Sequence, residues 1–240
     1  MRIFLFLAFF LPWASSSSAQ VLLLATPTPP SPEDREAFQK ALKQSQKGDA
    51  SSMGRLGLMY EKGLGTDKDL DEAFHWLSKG AQKGDAASEN NLGFLYLNGL
   101  GVKADEAQAL RWFEKAAGQG LASAQGNLGL VYGRGLGVRK DYNQAVLWFK
   151  KAAGQDDADA QVNLAQMLSL GEGAPKDWVE SHKWFSLALR HPSLKEGQVE
   201  ELHNDIDWLE KRMTGAQIKE AQQRAADWET AQATPTPGDP

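Results

Sequence analysis

The sequence predicts an all-α protein, a right-handed α-solenoid of antiparallel helix pairs, from one period shared by three residue types. Tryptophans, glycines and aspartates each recur every 36 residues over four copies, and apolar residues between them follow helical three- and four-residue steps. The columns are Trp76, Trp112, Trp148, Trp184; Gly63, Gly99, Gly135, Gly171; Gly65, Gly101, Gly137, Gly173; and Asp69, Asp105, Asp141, Asp177. A fixed period of this length indicates stacked helical repeats.

The period divides the 240 residues into an array with two flanks. The predicted segments are a signal peptide (1–19), a proline-rich linker (20–32), an N-terminal capping helix (33–47), four units (48–83, 84–119, 120–155 and 156–191), C-terminal capping helices (192–232) and a disordered tail (233–240). Thr214 with Gln217 predicts a capping box that opens the last helix. Capping elements of this kind keep the open ends of an array soluble.

Each unit is predicted to be a helix, a turn and a second helix. In the first unit Leu56 and Tyr60 share a buried stripe, and Gly63 ends the helix because it takes the left-handed conformation without a Cβ penalty. Asp69, with Glu72 three residues on, predicts a capping box in which the aspartate accepts a backbone N–H and the glutamate reaches back. The repeated aspartates are therefore interpreted as caps rather than catalytic acids.

The tryptophan column is interpreted as core rather than as a stack for a ligand. Ala73 precedes Trp76 by three residues, and a small residue beside a large ring lets neighbouring helices approach while the ring fills the gap. Burying such a ring contributes about 2–3 kcal/mol.

The composition disfavours several classes of function. With 26 basic and 31 acidic residues, a net charge of −5 and no basic block, the chain lacks the footprint of a nucleic-acid binder. It has no cysteine, and none of its four histidines stands at the helical spacing of a zinc pair. His182 is predicted to be a partly packed ring, since apolar residues hold its position in the other units. We expect no enzyme, no cofactor and no metal site.

The third unit carries a family resemblance. Its residues are Asn127-Leu128-Gly129-Leu130-Val131-Tyr132-Gly133-Arg134-Gly135-Leu136-Gly137-Val138, followed by Asp141, Ala145, Trp148, Lys151, Ala152 and Ala153. This pattern resembles the Sel-1-like repeat family, a relative of the tetratricopeptide repeat with a longer turn between its helices, and the resemblance covers 48–191. It implies a scaffold, adaptor or regulator; exported bacterial members are associated with envelope signalling, virulence and surface assemblies. Fold alone does not choose among these roles.

Two hypotheses for function remain open. The first is a scaffold that binds a protein or peptide on its concave face, through an apolar row flanked by amides and basic groups. The candidate residues are Arg55, Leu58, Asn91, Phe94, Asn98, Asn127, Leu130, Arg134 and Asn163. The asparagines among them have a second interpretation, in which they only tie adjacent repeats together. The second hypothesis is a binder of cell-wall glycan or an accessory to an envelope enzyme, which would need exposed aromatics spaced for sugar stacking.

The N-terminus predicts export to the periplasm or beyond. Arg2, an apolar run over 3–13 and small residues ending at Ala19 form the pattern of a secretory signal. The alternative is an uncleaved anchor continuing to Leu24, but serines interrupt the run and neither half approaches the roughly 18–20 residues of a membrane span. No stable span is expected after cleavage.

If the signal is cleaved after Ala19, the exported protein begins at Gln20. Intact-mass analysis of the exported fraction checks this directly. A mature protein that still carries Met1 would contradict cleavage and favour the anchor.

Overall fold

A computed structural model describes residues 30–192 and 194–233, and every regular element within them is a helix. The helices are α1 Pro32–Gln46, α2 Ala50–Lys62, α3 Leu70–Gln82, α4 Ala86–Asn98, α5 Glu106–Gly118, α6 Ala122–Arg134, α7 Tyr142–Ala153, α8 Ala158–Leu170, α9 Trp178–Leu189, α10 Glu196–Glu210 and α11 Gly215–Ala233. The predicted signal peptide, positions 20–29 of the linker and positions 234–240 of the tail lie outside the described residues.

The helices form four successive pairs. Each first helix (α2, α4, α6, α8) packs on the second helix of its own unit (α3, α5, α7, α9), and each second helix packs on the next first helix. Neighbouring first helices also contact each other, α2 with α4 and α6 with α8. The predicted all-α solenoid is therefore confirmed.

The core is divided among the units instead of forming one central body. Separate clusters of buried side chains join the second helix of one unit to the first helix of the next, as Ala109 and Phe113 of α5 do with Leu128 of α6. The largest cluster joins the last unit to α10 and α11 through residues such as Leu209 and Ala221. Stability is thus built from contacts between sequence neighbours, as expected for a repeat array.

The helix α1 corresponds to the second helix of a unit and is the first helix among the described residues. The Phe38 ring meets the Tyr60 ring edge to face, with centroids 5.2 Å apart. One period later, Phe74 meets Tyr96 in the same way at 5.5 Å. The array therefore begins on half a unit.

Only one half of the predicted capping box forms, the half in which the aspartate side chain accepts backbone N–H groups. The Oδ1 atom of Asp69 accepts from the backbone N–H groups of Asp71 and Glu72, each at 3.0 Å. The predicted reach back by Glu72 is wrong, because the Asp69 N–H donates to the Tyr60 carbonyl at 2.9 Å. The Glu72 carboxylate instead accepts from Trp76 Nε1 at 3.0 Å.

The aspartate N–H thus ties the two helices of one unit together, and this bond recurs in every unit. The other three run from Asp105 to Tyr96, from Asp141 to Tyr132 and from Asp177 to Leu168. The residue that caps the second helix therefore also fixes its position against the first.

The second glycine of each inter-helix loop makes the contact between units. Gly137 lies at φ +67° against the start of α5, and a Cβ there would lie 2.6 Å from the carbonyl carbon of Glu106 and 2.7 Å from its oxygen. The Gly137 N–H also donates to the Glu106 carboxylate at 2.7 Å. The equivalent glycines Gly65, Gly101 and Gly173 meet the backbones of Asp34, Leu70 and Tyr142, and with Glu106 these partners recur every 36 residues.

The C-terminal helices close the array with aromatic and polar contacts. Trp228 meets Trp184 at 5.9 Å between centroids, and Trp208 meets Trp178 at 6.4 Å. The start of α11 has the predicted Thr214–Gln217 capping box, with Thr214 N–H donating to Gln217 Oε1 at 2.9 Å and Gln217 N–H donating to Thr214 Oγ1 at 3.3 Å. The last repeat is thereby covered by helices that do not repeat.

The glycine contact between units predicts different costs for two alanine substitutions in the third unit. Gly120→Ala should cost about 1 kcal/mol, the penalty of the left-handed conformation, because φ is +89° and nothing lies within 4 Å of a Cβ. Gly137→Ala should cost at least about 2 kcal/mol more, because it adds a clash with the Glu106 backbone. Chemical denaturation of both variants checks this, and equal losses would contradict the packing role of the loop.

Candidate binding surface

All nine residues predicted for the binding surface lie on first helices. Arg55 and Leu58 lie on α2, and the remaining seven lie on α4, α6 and α8: Asn91, Phe94, Asn98, Asn127, Leu130, Arg134 and Asn163. We call the surface that these helices present the first-helix face. Placement on one face follows from the 36-residue period, because equivalent positions of stacked helices lie side by side.

The apolar row on this face is uneven in its exposure. Phe94 is 43% exposed, while Leu58 and Leu130 are partly buried. Leu130 also packs against the core of the last unit. The row therefore consists of one exposed aromatic ring and two leucine side chains that are partly covered by the fold.

The amides on this face are largely engaged within the fold. Asn127 Nδ2 donates to Asn90 Oδ1 at 2.8 Å and so ties α6 to α4. Asn163 Nδ2 donates to the Asp159 carbonyl at 2.7 Å, and Asn98 Nδ2 donates to the Phe94 carbonyl at 2.8 Å. Asn127 therefore does tie adjacent repeats together, as the second interpretation of the asparagines expects. Its partner is Asn90, which is not one of the predicted asparagines.

Two clefts open on the first-helix face toward its C-terminal end. The first, of about 410 Å³, lies mainly between α6 and α8; we call it the α6–α8 cleft. The second, of about 280 Å³, is bounded by α6, α8 and the chain from Leu194 through α10; we call it the α10 cleft. The residues that line both clefts are Leu130, Arg134, Asn163 and Gln166. The two clefts therefore share a wall that contains three of the predicted residues.

The predicted site residues separate into two groups. Leu130, Arg134 and Asn163 come together at the clefts, and Asn127 borders a smaller hollow beside them. The other five lie on α2 and α4 and line neither of these two clefts. The structure thus gathers the predicted residues of α6 and α8 and leaves those of α2 and α4 apart.

Residues of α10 complete the second cleft, and sequence reasoning missed them. The α10 side of the cleft is formed by Leu194, Gln198, Glu201, Leu202 and Asp205. This segment departs from the 36-residue period, so the repeat pattern contained no signal for its position. Only the packing of the capping helix brings it to the first-helix face.

Carboxylates dominate the charge of the α10 cleft. Burial and, to a smaller extent, the charge of Glu201 raise the pKa of Asp205 to about 6, although a hydrogen bond with Gln166 acts to lower it. Burial also raises the pKa of Asp159, and the charge of Asp157 adds to this shift while His191 opposes it. Burial lowers the pKa of the Arg134 guanidinium on the shared wall. Charged groups here are thus partly removed from water.

Other ionisable groups have structural partners. His182 is only 2% exposed, more buried than predicted, with Nε2 2.9 Å from Glu210 Oε1 and Nδ1 3.2 Å from Ser186 Oγ. It joins α9 to α10. Within 30–192 and 194–233, no group of three or more His, Cys, Asp or Glu side chains is placed to hold a metal ion. Across the same residues, no helix combines the length and hydropathy needed to cross a bilayer.

The tryptophan column lies on the second helices and each ring carries a lysine. Lys79 lies over Trp76 with Nζ 4.7 Å from the ring centroid, and the distances for Lys115 over Trp112, Lys151 over Trp148 and Lys183 over Trp184 are 4.0, 4.0 and 4.1 Å. Trp184 is buried, while the other three rings are partly buried. The rings are therefore largely enclosed by the fold, with an ammonium group over one face.

Comparisons with known proteins agree on one family. The model of the Sel1 repeat matches residues 50–85, 86–121, 122–157 and 158–192, and these units begin two residues later than the predicted ones. A solved Sel1 repeat protein from Oxalobacter formigenes is 33% identical with a TM-score of 0.61, over 69% of this chain and 68% of that one. No curated protein matches the sequence.

A second solved structure is a protective antigen present in uropathogenic Escherichia coli strains, which displays an SLR fold. It is 28% identical with a TM-score of 0.72, and the match covers 85% of this chain but 44% of that one. This chain therefore spans less than half the length of that antigen.

The raised pKa of Asp205 predicts a pH-dependent effect of its substitution. A folded-state pKa near 6, above the ordinary 3.8, means that the folded chain binds this proton more tightly and loses stability as pH rises between these values. Asp205→Asn removes the cost of burying the charge, so it should melt higher than the parent at about pH 8 and equally at about pH 3. Asp207→Asn, at an exposed position of the same helix, is the control. A pH-independent difference for Asp205→Asn would contradict the assignment.

Proposed function

Because the chain belongs to the Sel1 repeat family, we propose that it is a non-enzymatic scaffold, adaptor or regulator that binds a protein or peptide partner. Repeats of this family mediate protein–protein interaction. The observation that carries the proposal is the first-helix face, where an open phenylalanine stands on the same surface as two clefts. An exposed aromatic ring and concave, partly apolar surface on one face are typical of protein interfaces.

The arrangement suits an extended segment better than a compact small molecule. The clefts lie side by side and share Leu130, Arg134, Asn163 and Gln166, so they form a continuous hollow across successive first helices. Apolar side chains provide surface to bury, while the amide and guanidinium groups provide hydrogen-bonding partners for a peptide backbone. A partner lying along this hollow would cross several repeats, which is how solenoids use their long surfaces.

Glycan binding is the second candidate, and the tryptophans favour it less. Sugar stacking needs open aromatic faces, whereas the rings of the tryptophan column are partly or fully buried and each lies beneath a lysine ammonium. Among the described residues, Phe94 is the aromatic side chain with the largest open surface, at 43% exposure. One such ring is better suited to anchoring a protein partner than to a ladder of stacked sugars.

We further propose that this binding takes place in the cell envelope, in the periplasm or beyond it. The support is the N-terminal pattern of one arginine, a short apolar run and small residues ending at Ala19. The antigen from uropathogenic Escherichia coli is related in fold.

Two exposed apolar side chains on different helices provide a matched test of the binding face. A partner captured from the cells that naturally produce the chain is purified, and its affinity is measured by calorimetry. Phe94→Ala on α4 should weaken binding at least about tenfold, the loss expected of a central aromatic anchor. Leu147→Ala on α7 removes a side chain of similar exposure, 46% against 43%, from a second helix and should change affinity less than about twofold.

Melting temperatures of both variants that equal the melting temperature of the parent establish that folding is unaffected. A partner that tolerates Phe94→Ala and loses affinity with Leu147→Ala would place binding on the second helices instead. A captured glycan, with no protein partner, would favour the second candidate.

A further inference from the structure

We propose that the α10 cleft selects partner segments in which a basic side chain, lysine or arginine, stands next to an apolar one. This inference deepens the proposed function and rests on it. It assigns part of the specificity to α10, the capping helix that lies outside the repeats.

The floor of the cleft is apolar and belongs to three structural elements. Leu130 comes from α6, Val162 from α8 and Leu202 from α10, with Leu194 at the edge. Leu202 is buried. Leu130, Val162 and Leu194 are only partly buried, so these three side chains still offer surface to a ligand. A cleft of about 280 Å³ with this floor fits one or two side chains of an extended segment rather than a folded domain.

The rim of the cleft supplies a charge that a basic side chain would complement. Asp159, Glu201 and Asp205 line the cleft together with one cation, Arg134, which leaves a formal charge of −2 from three negative groups and one positive group. The adjoining α6–α8 cleft has the opposite balance, because Arg134 and Lys140 outnumber Glu172 and leave +1. The negative charge is therefore confined to the end of the hollow that α10 builds.

A basic side chain of a partner would also relieve the cost of the buried carboxylate. Asp205 is held partly away from water beside Glu201, which is why its pKa is raised to about 6. A nearby ammonium or guanidinium stabilises the charged form of such a group. An anionic ligand would meet the same groups unfavourably, and within the described residues no cluster is placed to hold a metal cation.

The charged groups around Asp205 fix the pH dependence of this recognition. Glu201 lies on the same helix, Asp159 on α8, Arg134 on α6, and His191 lies near enough to Asp159 to lower its pKa. As pH falls through about 6, Asp205 becomes neutral. This change weakens the attraction for a cation, so affinity should fall in this range.

A library of displayed random peptides of about ten residues, matched to the extended segments that such grooves bind, tests the proposal on the full chain. Peptides selected on the parent should be enriched in lysine or arginine relative to the unselected library. One selected peptide is then titrated against Asp159→Lys with Glu201→Lys, which reverses two charges of the cleft lining. The control is Glu200→Lys with Asp207→Lys, which changes the net charge equally at exposed positions of α10 that do not line the cleft.

The cleft variant should bind the peptide at least about tenfold more weakly, while the control should stay within about threefold, since exposed charges outside the contact have small effects. Affinity for the parent should also decrease between about pH 7 and pH 5. Selected peptides without basic enrichment, or equal losses in both double variants, overturn the role of the α10 cleft. If the selected peptides still lose affinity for the Phe94→Ala variant in that case, the proposed function stands without a role for the α10 cleft. Failure to select any peptide overturns the inference and the peptide-binding form of the proposed function together.

Discussion

The close approach of one loop glycine to the preceding unit is the contact on which the array depends. Gly137 lies so near the Glu106 backbone that a Cβ has no room, and its N–H is bonded to the Glu106 carboxylate. Equivalent contacts recur along the chain, the first of them between Gly65 and Asp34. Each loop is therefore seated on the start of the second helix before it, which fixes the spacing between units. The side-by-side position of the first helices, and the surface they share, follows from that spacing.

The clefts arise where the repeats end. A further repeat would place another first helix beside α8, with apolar and small residues at the repeating positions. The chain instead has α10, anchored to the last unit by His182 and Glu210 and by the contact between Trp178 and Trp208. This helix adds the carboxylates of Glu201 and Asp205 to the first-helix face, beside the one that α8 provides there, Asp159. The capping helix thus has two roles, since it covers the end of the core and adds charge to the adjoining surface.

The residues of the first-helix face divide between those that hold the fold together and those that are placed to meet a partner. Asn127 is bonded to Asn90 across two units, so its amide has a structural use before any ligand arrives. Arg134 lies at both clefts, and Phe94 is open to solvent. A shared column in the sequence therefore does not imply a shared role, because Asn127 bonds to a neighbouring helix whereas Asn163, one period later, bonds to a carbonyl of its own helix.

The sequence by itself determined the features that depend on local spacing: the helical steps, the glycine ends of the first helices, the aspartate caps and the 36-residue stacking that places Leu58, Phe94 and Leu130 on one face. Only the tertiary structure decided which hydrogen-bonding and charged groups come together where separate helices meet. It gives the Asp69 N–H to Tyr60 instead of Glu72, pairs Asn127 with Asn90 and brings Asp205 of α10 to the first-helix face at the α10 cleft. The 36-residue period predicts contacts between equivalent residues of neighbouring units, because those contacts recur once in every unit. The position of α10 follows from packing against the last unit alone, and no repeated pattern records it.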